Sequence, residues 1–311
     1  MWRELAAVVV AGLLLGAVFS AGAQVKVPVL VDTDIGTDID DAFALALALA
    51  SPEIELRGVT TVSADAYSRA LIACRLLSAA GRGDVPVAAG RPRRSEPERT
   101  GQYQYGLEEV FRKRPVAEPA SEFLYRELKA EPGALTLVTI GDLTNIGRLL
   151  TEHPDAKPWI KRIVIMGGAV RVGYNGKPPA VWEWNIHSDI KAAQVVFSSG
   201  VPLVVAPLDA TTMVKLEAPM RARIFQSGTR LGRELEILYR LWGKSTPTLF
   251  DPVALALSFN QRFCTMEDLR LEVDAEGVTR ERAGSPNAHV AVAIRRDEFL
   301  QWYVDRIVSA K

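Results

Sequence analysis

The amino-acid sequence predicts an α/β fold, a single domain built on an open, mostly parallel β-sheet flanked by helices. Short apolar runs rich in β-branched residues alternate with longer stretches of good helix formers along most of the chain. This alternation is typical of parallel strands joined by right-handed crossovers. The sequence shows no internal repeat and no interdomain linker, so one large domain accounts for the folded part.

The chain begins with a stretch that we expect to be a secretory signal peptide, residues 1–23. Residues 5–19 are apolar, and the small residues 20–23 suit a cleavage site before Gln24. An uncleaved anchor is the alternative, although the apolar run is short for a membrane span. We therefore expect an exported protein, periplasmic or secreted, whose folded domain spans residues 24–311 and has no further contact with the membrane.

The composition fits a domain that acts on a small molecule. Hydrophobic residues make up 48% of the chain, which is enough for a sizeable core. The 37 basic residues balance the 37 acidic ones, and a net charge of zero argues against nucleic acid as the main partner. Cys74 and Cys264 are too few for a disulfide scaffold, and the sequence leaves open whether they pair.

The first predicted strand, residues 27–31, leads into a loop that holds five aspartates and then into an apolar helix. The aspartates are Asp32, Asp34, Asp38, Asp40 and Asp41. Gly36 permits a sharp turn within this loop. Carboxylates so close together repel one another unless a cation lies among them, and Ca²⁺ accepts about six to eight oxygen ligands. The loop therefore indicates a calcium site.

Three other interpretations explain less of this loop. The helix macrodipole favours acids in a first turn, but an N-cap with solvated acids does not require so many carboxylates. A calcium-binding EF-hand loop needs a Gly position and a distal Glu that do not match here. A phosphatase-type nucleophile at Asp32, directly after the strand, is the third interpretation.

A second polar site is expected after the next strand, residues 54–62, which is followed by a helix to about residue 80. Because ligands of parallel sheets gather at the carboxyl ends of the strands, Asp65 should lie at the same edge as Asp34. Asp65 is either a plain N-cap or a residue of the ligand site at this edge. Further on, residues 91–114 are rich in Pro, Arg, Glu and Gly and predict a solvated loop.

Polar residues also follow the middle strands, which are predicted at 135–140, 162–166 and 202–206. A Gly- and Pro-rich loop carries Asn175, and the run Trp182-Glu-Trp-Asn-Ile186 comes next. Glu183 and Asn185, two residues apart, would point the same way from an extended segment. An isolated Glu between two Trp is hard to rationalise in a core, so ligand binding is favoured over a surface strand.

The last third of the chain continues the alternation of helices and strands. Helices are predicted at 188–197, with Ser188 as cap, at 219–241 and at 296–309, and strands at 269–273 and 290–294. Asp251 and Pro252 begin another helix, where a Pro in the first turn is well tolerated. Asp251 is either a simple N-cap or a further metal ligand.

Several of these motifs resemble those of the inosine-uridine-type nucleoside hydrolases. They are Asp32-Thr-Asp34-Ile-Gly36 with Asp40-Asp41-Ala, Gly141-Asp-Leu-Thr-Asn145, Glu183-Trp-Asn185 and Asp251-Pro-Val-Ala254. The resemblance spans roughly residues 27–310. The chain departs from the family in two places. Its first motif is two residues longer and adds Asp38, as in a divergent branch, and Phe250 replaces a His that often helps to protonate the leaving base.

The resemblance implies a nucleoside hydrolase-like domain with a Rossmann-like core and a Ca²⁺ ion held by Asp34, Asp41, Asp251 and the backbone carbonyl of Ile140. Asp34 would act as general base in calcium-dependent hydrolysis of ribonucleosides to ribose and free base. The residues implied for substrate binding are Asp38, Asp40, Asp65, Asn175, Glu183, Trp184 and Asn185, with Asp38 and Asp40 as alternatives for one sugar contact. A homo-oligomer is expected by analogy alone.

A different hypothesis is an exported binding protein that keeps the calcium and ribosyl pocket with little or no turnover. Phe250 favours it because a phenyl ring cannot donate a proton to a leaving base. The presence of Asp34, the expected general base, opposes it.

Overall fold

A computed structural model describes residues 26–92, 100–107 and 113–310. The expected signal peptide, residues 1–23, lies outside these ranges. The described residues form one nine-stranded, mostly parallel sheet with helices packed against it, which confirms the predicted fold class. Across these same ranges, no helix is both long and apolar enough to cross a bilayer.

The strands follow the order β3-β2-β1-β4-β5-β6-β9-β7-β8 across the sheet. Their bounds are β1 Val27–Thr33, β2 Ile54–Thr61, β3 Val87–Ala89, β4 Thr136–Thr139, β5 Arg162–Met166, β6 Leu203–Ala206, β7 Cys264–Val273, β8 Thr279–Arg282 and β9 Ala288–Ile294. Neighbours from β3 through β9 are parallel, whereas β7 runs antiparallel to both β9 and β8. Helical crossovers between parallel neighbours bring the carboxyl ends of β1, β2, β4 and β5 to one edge.

The helices connect these strands and cover the sheet. They are α1 Asp40–Ala50, α2 Ala66–Ala79, α3 Gln102–Gly106, α4 Ala120–Ala130, α5 Thr144–Glu152, α6 Trp184–Ser188, α7 Ile190–Phe197, α8 Leu208–Thr211, α9 Ala218–Phe225, α10 Arg230–Trp242, α11 Phe250–Leu257 and α12 Arg296–Val308, with a 3-10 helix at Pro154–Trp159. Side chains of β1 alternate between two apolar cores, Val29 and Val31 in one and Leu30 in the other. Successive strand residues face opposite sides of a sheet. The two cores therefore lie on opposite faces of the sheet, and helices cover both faces.

Four sequence expectations differ from the observed elements. The region 91–114 contains α3, where Gln102 and Tyr105 are buried, so its described part is not simply a solvated loop. The helix expected at 188–197 is two helices, and Asp189 rather than Ser188 caps the second by accepting a hydrogen bond from the amide of Ala192. The other two differences are a break of the 219–241 region into α9 and α10 and the presence of β8, which was not predicted.

Close backbone approach assembles the aspartate loop at the carboxyl edge of the sheet. Gly36 has φ +115°, a conformation that side chains with a Cβ rarely adopt. A Cβ on Gly141 would lie 2.9 Å from the amide nitrogen of Asp34, so only glycine lets the loop after β4 pass so near. The side chain of Gln102 donates to the Asp38 carbonyl (2.9 Å), and the hydroxyl of Thr100 donates to the Gly36 carbonyl (2.8 Å). The start of α3 and the residues just before it therefore stabilise the aspartate loop.

Candidate active site

A cavity of about 300 Å³ lies at the carboxyl ends of β1, β4 and β5. Its lining residues are Asp34, Thr37, Asp38, Asp40, Asp41, Ile140, Met166, Tyr174, Glu183, Trp184, Asn185, Lys244, Phe250 and Asp251. The sequence motifs that follow separate strands therefore meet in one place, as the parallel-sheet argument predicts. Two walls can be distinguished by their chemistry. The carboxylate wall consists of Asp34, Asp38, Asp40, Asp41 and Asp251, and the aromatic wall of Tyr174, Trp184 and Phe250.

Three members of the carboxylate wall form a tight group. Asp40, Asp41 and Asp251 each offer a carboxylate oxygen, these oxygens lie within 4.8 Å of one another, and all three residues are buried. The packing of α1 against α11 brings them together, and the amide of Asp251 donates to a carboxylate oxygen of Asp40 over 3.2 Å. The Thr33 hydroxyl donates to Asp41 over 2.5 Å. Three carboxylates so arranged are a candidate metal site.

The electrostatics of this group favour a bound cation. Burial, reinforced by the other carboxylates, raises the pKa of Asp40, Asp41 and Asp251 well above the ordinary aspartate value. Burial also raises the pKa of Asp34 to about 6, although the buried guanidinium of Arg69 opposes this shift. A cation among the carboxylates would reverse these shifts. An oxygen-only donor set fits a hard ion such as Ca²⁺ better than zinc, which prefers nitrogen and sulfur.

The acidic residues are grouped differently in the structure from the metal and sugar ligands that the resemblance implies. Asp40, which the resemblance gave as an alternative to Asp38 for a sugar contact, belongs to the tight group with Asp41 and Asp251, whereas Asp34 lies in the same cavity outside that group. The Ile140 carbonyl accepts a hydrogen bond from the Asn185 side chain over 3.1 Å. Arg69 donates to the carbonyls of Asp34 and Ile35 and so holds the backbone of the loop that carries these acids.

Glu183 and Asn185 both reach the cavity, but by a local structure that the sequence did not predict. Only Glu183 has an extended backbone, whereas Asn185 lies in the first turn of a helix. Glu183 is the N-cap of α6, and its carboxylate accepts hydrogen bonds from the amides of Asn185 (3.0 Å), Ile186 (3.2 Å) and Gly168 (2.9 Å). Burial raises the pKa of Glu183, and these amide donors oppose the shift. Both side chains are therefore rigidly placed beside the carboxylate wall.

Two predicted substrate-binding residues do not line the cavity. Asp65 caps α2, with its carboxylate accepting from the amide of Ser68 over 3.1 Å and from its hydroxyl over 2.7 Å. Asn175 accepts from the amide of Lys177 over 2.9 Å within its own loop. Short polar side chains commonly bind nearby backbone in this way. For Asp65 the structure shows the N-cap alternative.

Asp32, the nucleophile of the phosphatase interpretation, lies behind the cavity. It is 2% exposed and accepts hydrogen bonds from Thr60 (2.6 Å) and from the Asn145 side chain (2.8 Å). Burial raises its pKa to about 7. A nucleophile must reach its substrate, and Asp32 is absent from the cavity lining. Its position favours a structural role in joining β1, β2 and α5.

Sequence reasoning missed several residues of the lining. Thr37, Met166, Tyr174 and Lys244 belong to no motif that was assigned a function. Tyr174 adjoins Asn175 in the Gly- and Pro-rich loop. The sequence therefore identified the correct loop, but the residue of this loop that lines the cavity is Tyr174 and not Asn175. Cys74 and Cys264, whose pairing was left open, are both free thiols.

Solved structures share this fold over nearly their whole length. A plant nucleoside hydrolase superposes with a TM-score of 0.80 at 24% identity, covering 91% of this chain and 99% of that one. A purine-preferring ribonucleoside hydrolase from Gardnerella vaginalis superposes with a TM-score of 0.76 at 26% identity, covering 91% and 98%.

Sequence comparison agrees with the structural match. The pyrimidine-specific ribonucleoside hydrolase RihA of Citrobacter koseri is 31% identical over 309 residues, covering 90% of this chain and 97% of that protein. The profile of the inosine-uridine preferring nucleoside hydrolases matches residues 29–301. The match thus includes all the residues that line the cavity. This chain belongs to the inosine-uridine preferring nucleoside hydrolase family, enzymes that hydrolyse N-glycosyl bonds.

Proposed function

We propose that this protein is an exported, calcium-dependent ribonucleoside hydrolase that releases ribose and a free base. The observation that carries the proposal is the convergence of Asp40, Asp41 and Asp251 beside Asp34, in a cavity that Glu183 also lines. Pyrimidine-specific and purine-preferring ribonucleoside hydrolases are among its relatives, which supports a ribonucleoside as substrate. Export rests on the sequence of residues 1–23.

The carboxylate wall is where Ca²⁺ would be held. Asp40, Asp41 and Asp251 would supply the closest ligands, with Asp34 and the Ile140 carbonyl in the same cavity. When bound, the ion would lower the pKa of water and draw the ribose hydroxyls toward the carboxylates. The protein supplies a dry, preformed set of oxygen donors, which is the environment in which such an ion is most effective.

The residues of the cavity suit hydrolysis of the bond between C1′ of ribose and the base. Asp34 would take a proton from the attacking water as general base. As the C1′–N bond breaks, its electron pair leaves with the base and positive charge develops on the sugar ring. The carboxylate wall would stabilise that oxocarbenium-like charge. Glu183 and Asn185 would orient the sugar hydroxyls, since both are fixed by backbone hydrogen bonds.

A nucleoside panel assayed for free ribose tests this function. Wild-type protein with Ca²⁺ should release ribose from inosine or uridine, and Asp34→Asn should lower kcat by about 10²–10⁴-fold. Asp84→Asn is the matched control, because that carboxylate is on the surface and paired with Arg82. A site that binds ribose hydroxyls should also reject 2′-deoxyinosine by about 10⁴-fold.

The same panel separates hydrolysis from simple binding. Phe250 lines the cavity where an acid would assist the leaving base, and this observation favours a binding protein as the second candidate. Calorimetric binding of ribonucleosides without any ribose release would identify a binding protein and contradict the enzyme. Equal rates on inosine and 2′-deoxyinosine would contradict the assignment of Glu183 and Asn185 to the sugar.

A further inference from the structure

The aromatic wall contains a hydroxyl beside Phe250. We propose that the hydroxyl of Tyr174 donates a hydrogen bond to the departing base and so supplies the leaving-group assistance that Phe250 cannot give. The inference rests on the proposed hydrolysis and names a further residue for it. According to this inference, the loop that precedes Glu183 contributes to the part of the cavity that faces the base.

Tyr174 is adjacent to the position where assistance is needed. Its ring meets that of Phe250 nearly edge-on, with centroids 6.4 Å apart and planes at 79°. Phe250 directly precedes Asp251, which belongs to the carboxylate wall. The rings of Tyr174 and Phe250 therefore lie where the acids that would face the sugar meet the rest of the cavity. A leaving base next to this border would face the Tyr174 hydroxyl.

Tyr174 is held at both of its ends. The hydroxyl of Thr212 donates to the Tyr174 carbonyl over 2.7 Å, and the amide of Trp184 donates to the phenolic oxygen over 2.9 Å. A turn closed by the amide of Gly176 donating to the Gly173 carbonyl (2.9 Å) supports the backbone between them. A residue that is 46% exposed would otherwise be free to sample several rotamers. Its geometry is therefore preorganised, as leaving-group assistance requires.

The hydrogen bond from Trp184 leaves the phenolic proton of Tyr174 available. Among the described residues, that proton has no acceptor within hydrogen-bonding distance. Although the residue as a whole is 46% exposed, desolvation of its hydroxyl, together with the negative charge of Glu183, raises the pKa of Tyr174, so the group keeps its proton at neutral pH. The amide that donates to its oxygen also polarises the O–H bond and strengthens it as a donor.

The other polar side chains of the cavity are less suited to this role. The Asn185 side-chain amide donates to the carbonyls of Ile140 and Met166. The Thr37 hydroxyl accepts from Arg69 and belongs to the aspartate loop. Lys244 has Asp38 as its electrostatic partner and lies over the Trp242 ring at 5.7 Å. No histidine of the described ranges lines the cavity, and among the neutral donors that do line it, Tyr174 is the described residue whose ring meets that of Phe250.

The chemistry balances without consuming the tyrosine. Water adds its oxygen to C1′ and gives one proton to Asp34, while the C1′–N electron pair moves onto the base nitrogen. Tyr174 would stabilise the developing negative charge through its O–H while keeping the proton. The base then gains a proton from solvent, and Asp34 returns its proton to solvent, so the net reaction adds one water.

The test compares natural nucleosides with an activated riboside in Tyr174→Phe, which removes only the hydroxyl. The kcat/KM for inosine and uridine should fall by about 10²-fold, the effect of losing one donor to developing charge. The value for p-nitrophenyl β-riboside should change less than about threefold, because p-nitrophenolate needs no assistance to leave. Tyr125→Phe is the control, since Tyr125 is on α4, outside the cavity lining, and its hydroxyl donates to Asp155.

Each other outcome has a definite meaning. Equal losses on nucleosides and on the activated riboside would show a structural role and overturn the inference, as would an unchanged rate on nucleosides. Retained activity on the activated riboside also shows that Tyr174→Phe is folded. A wild-type protein that cleaves neither substrate class would overturn the proposed hydrolysis itself, and the inference with it.

Discussion

The two walls of the cavity are built in different ways. The carboxylate wall is mostly buried. Its residues lie in the loop between β1 and α1 and in the first turns of α1 and α11. In the aromatic wall, Tyr174 is 46% and Trp184 48% exposed, and they come from a loop and a five-residue helix. The acids whose charge and distance determine the chemistry are thus set in the core, whereas Tyr174 and Trp184 lie on exposed connecting segments, which tolerate variation. Phe250, the third member of the aromatic wall, begins α11 beside Asp251.

The carboxylate wall should give the largest effect when it is altered. Asp251→Asn should lower nucleoside hydrolysis by about 10³-fold or more, because removing one carboxylate ligand weakens both metal binding and charge stabilisation. Elemental analysis should show about one Ca²⁺ per chain in the wild type and a clear loss in the variant. Asp84→Asn, on the surface, should change neither quantity. Unaltered calcium content and activity in Asp251→Asn would remove the functional distinction between the walls.

The aromatic wall should give a smaller effect that falls on binding. Trp184→Ala should raise KM for nucleosides roughly fivefold, from the loss of about 1 kcal/mol of stacking, with little change in kcat. Trp182→Ala is a close control, because Trp182 is similarly exposed but packs against His187 with the rings tilted (centroids 4.8 Å apart) and does not line the cavity. If kcat falls as strongly as for Asp251→Asn, the aromatic wall participates in the chemistry and the comparison fails.

The smallest expected effect is a dependence of stability on pH, to which the carboxylate wall should contribute and the aromatic wall should not. Asp32 and Glu183, whose pKa values burial also raises, add to it in the same direction. Burial raises the pKa of Asp34 to about 6, so the folded protein binds more protons than the unfolded chain around this pH. Stability contributed by such a group is complete below the ordinary aspartate pKa and is lost as pH rises through the folded value. Without metal, the thermal midpoint should fall by about 4 °C or more between pH 4 and pH 8.

Differential scanning calorimetry in EDTA and in excess Ca²⁺ measures this dependence. Added Ca²⁺ should flatten it, because a cation favours the ionised carboxylates. Trp184→Ala should keep the wild-type slope, whereas Asp251→Asn should reduce it. A thermal midpoint that rises with pH in EDTA would contradict this prediction, because it would mean that ionisation of the carboxylate wall does not destabilise the folded protein.

Local pattern determined the fold class and most of the carboxylate wall. A parallel strand places whatever follows it at the carboxyl edge of the sheet, so Asp34, Asp41 and Asp251 could be assigned to one site from sequence position and motif resemblance. The tertiary structure decided which neighbours join them. The packing of α1 against α11 grouped Asp40 with Asp41 and Asp251, a contact across more than 200 residues that no local pattern encodes.

The sequence was weakest where a short polar side chain could bind its own backbone or reach the cavity. Asp65 caps α2 and Asn175 closes a turn, because a nearby amide costs little entropy to engage. Tyr174 belongs to no motif. The turn at Gly176, the hydroxyl of Thr212 and the amide of Trp184 hold it beside Phe250. Sequence by itself thus determined most of the strands, the order of the motifs and the acids at the strand ends. Only the tertiary structure decided which loop side chains face the cavity, because that depends on whether each side chain binds its own backbone or meets residues from other segments.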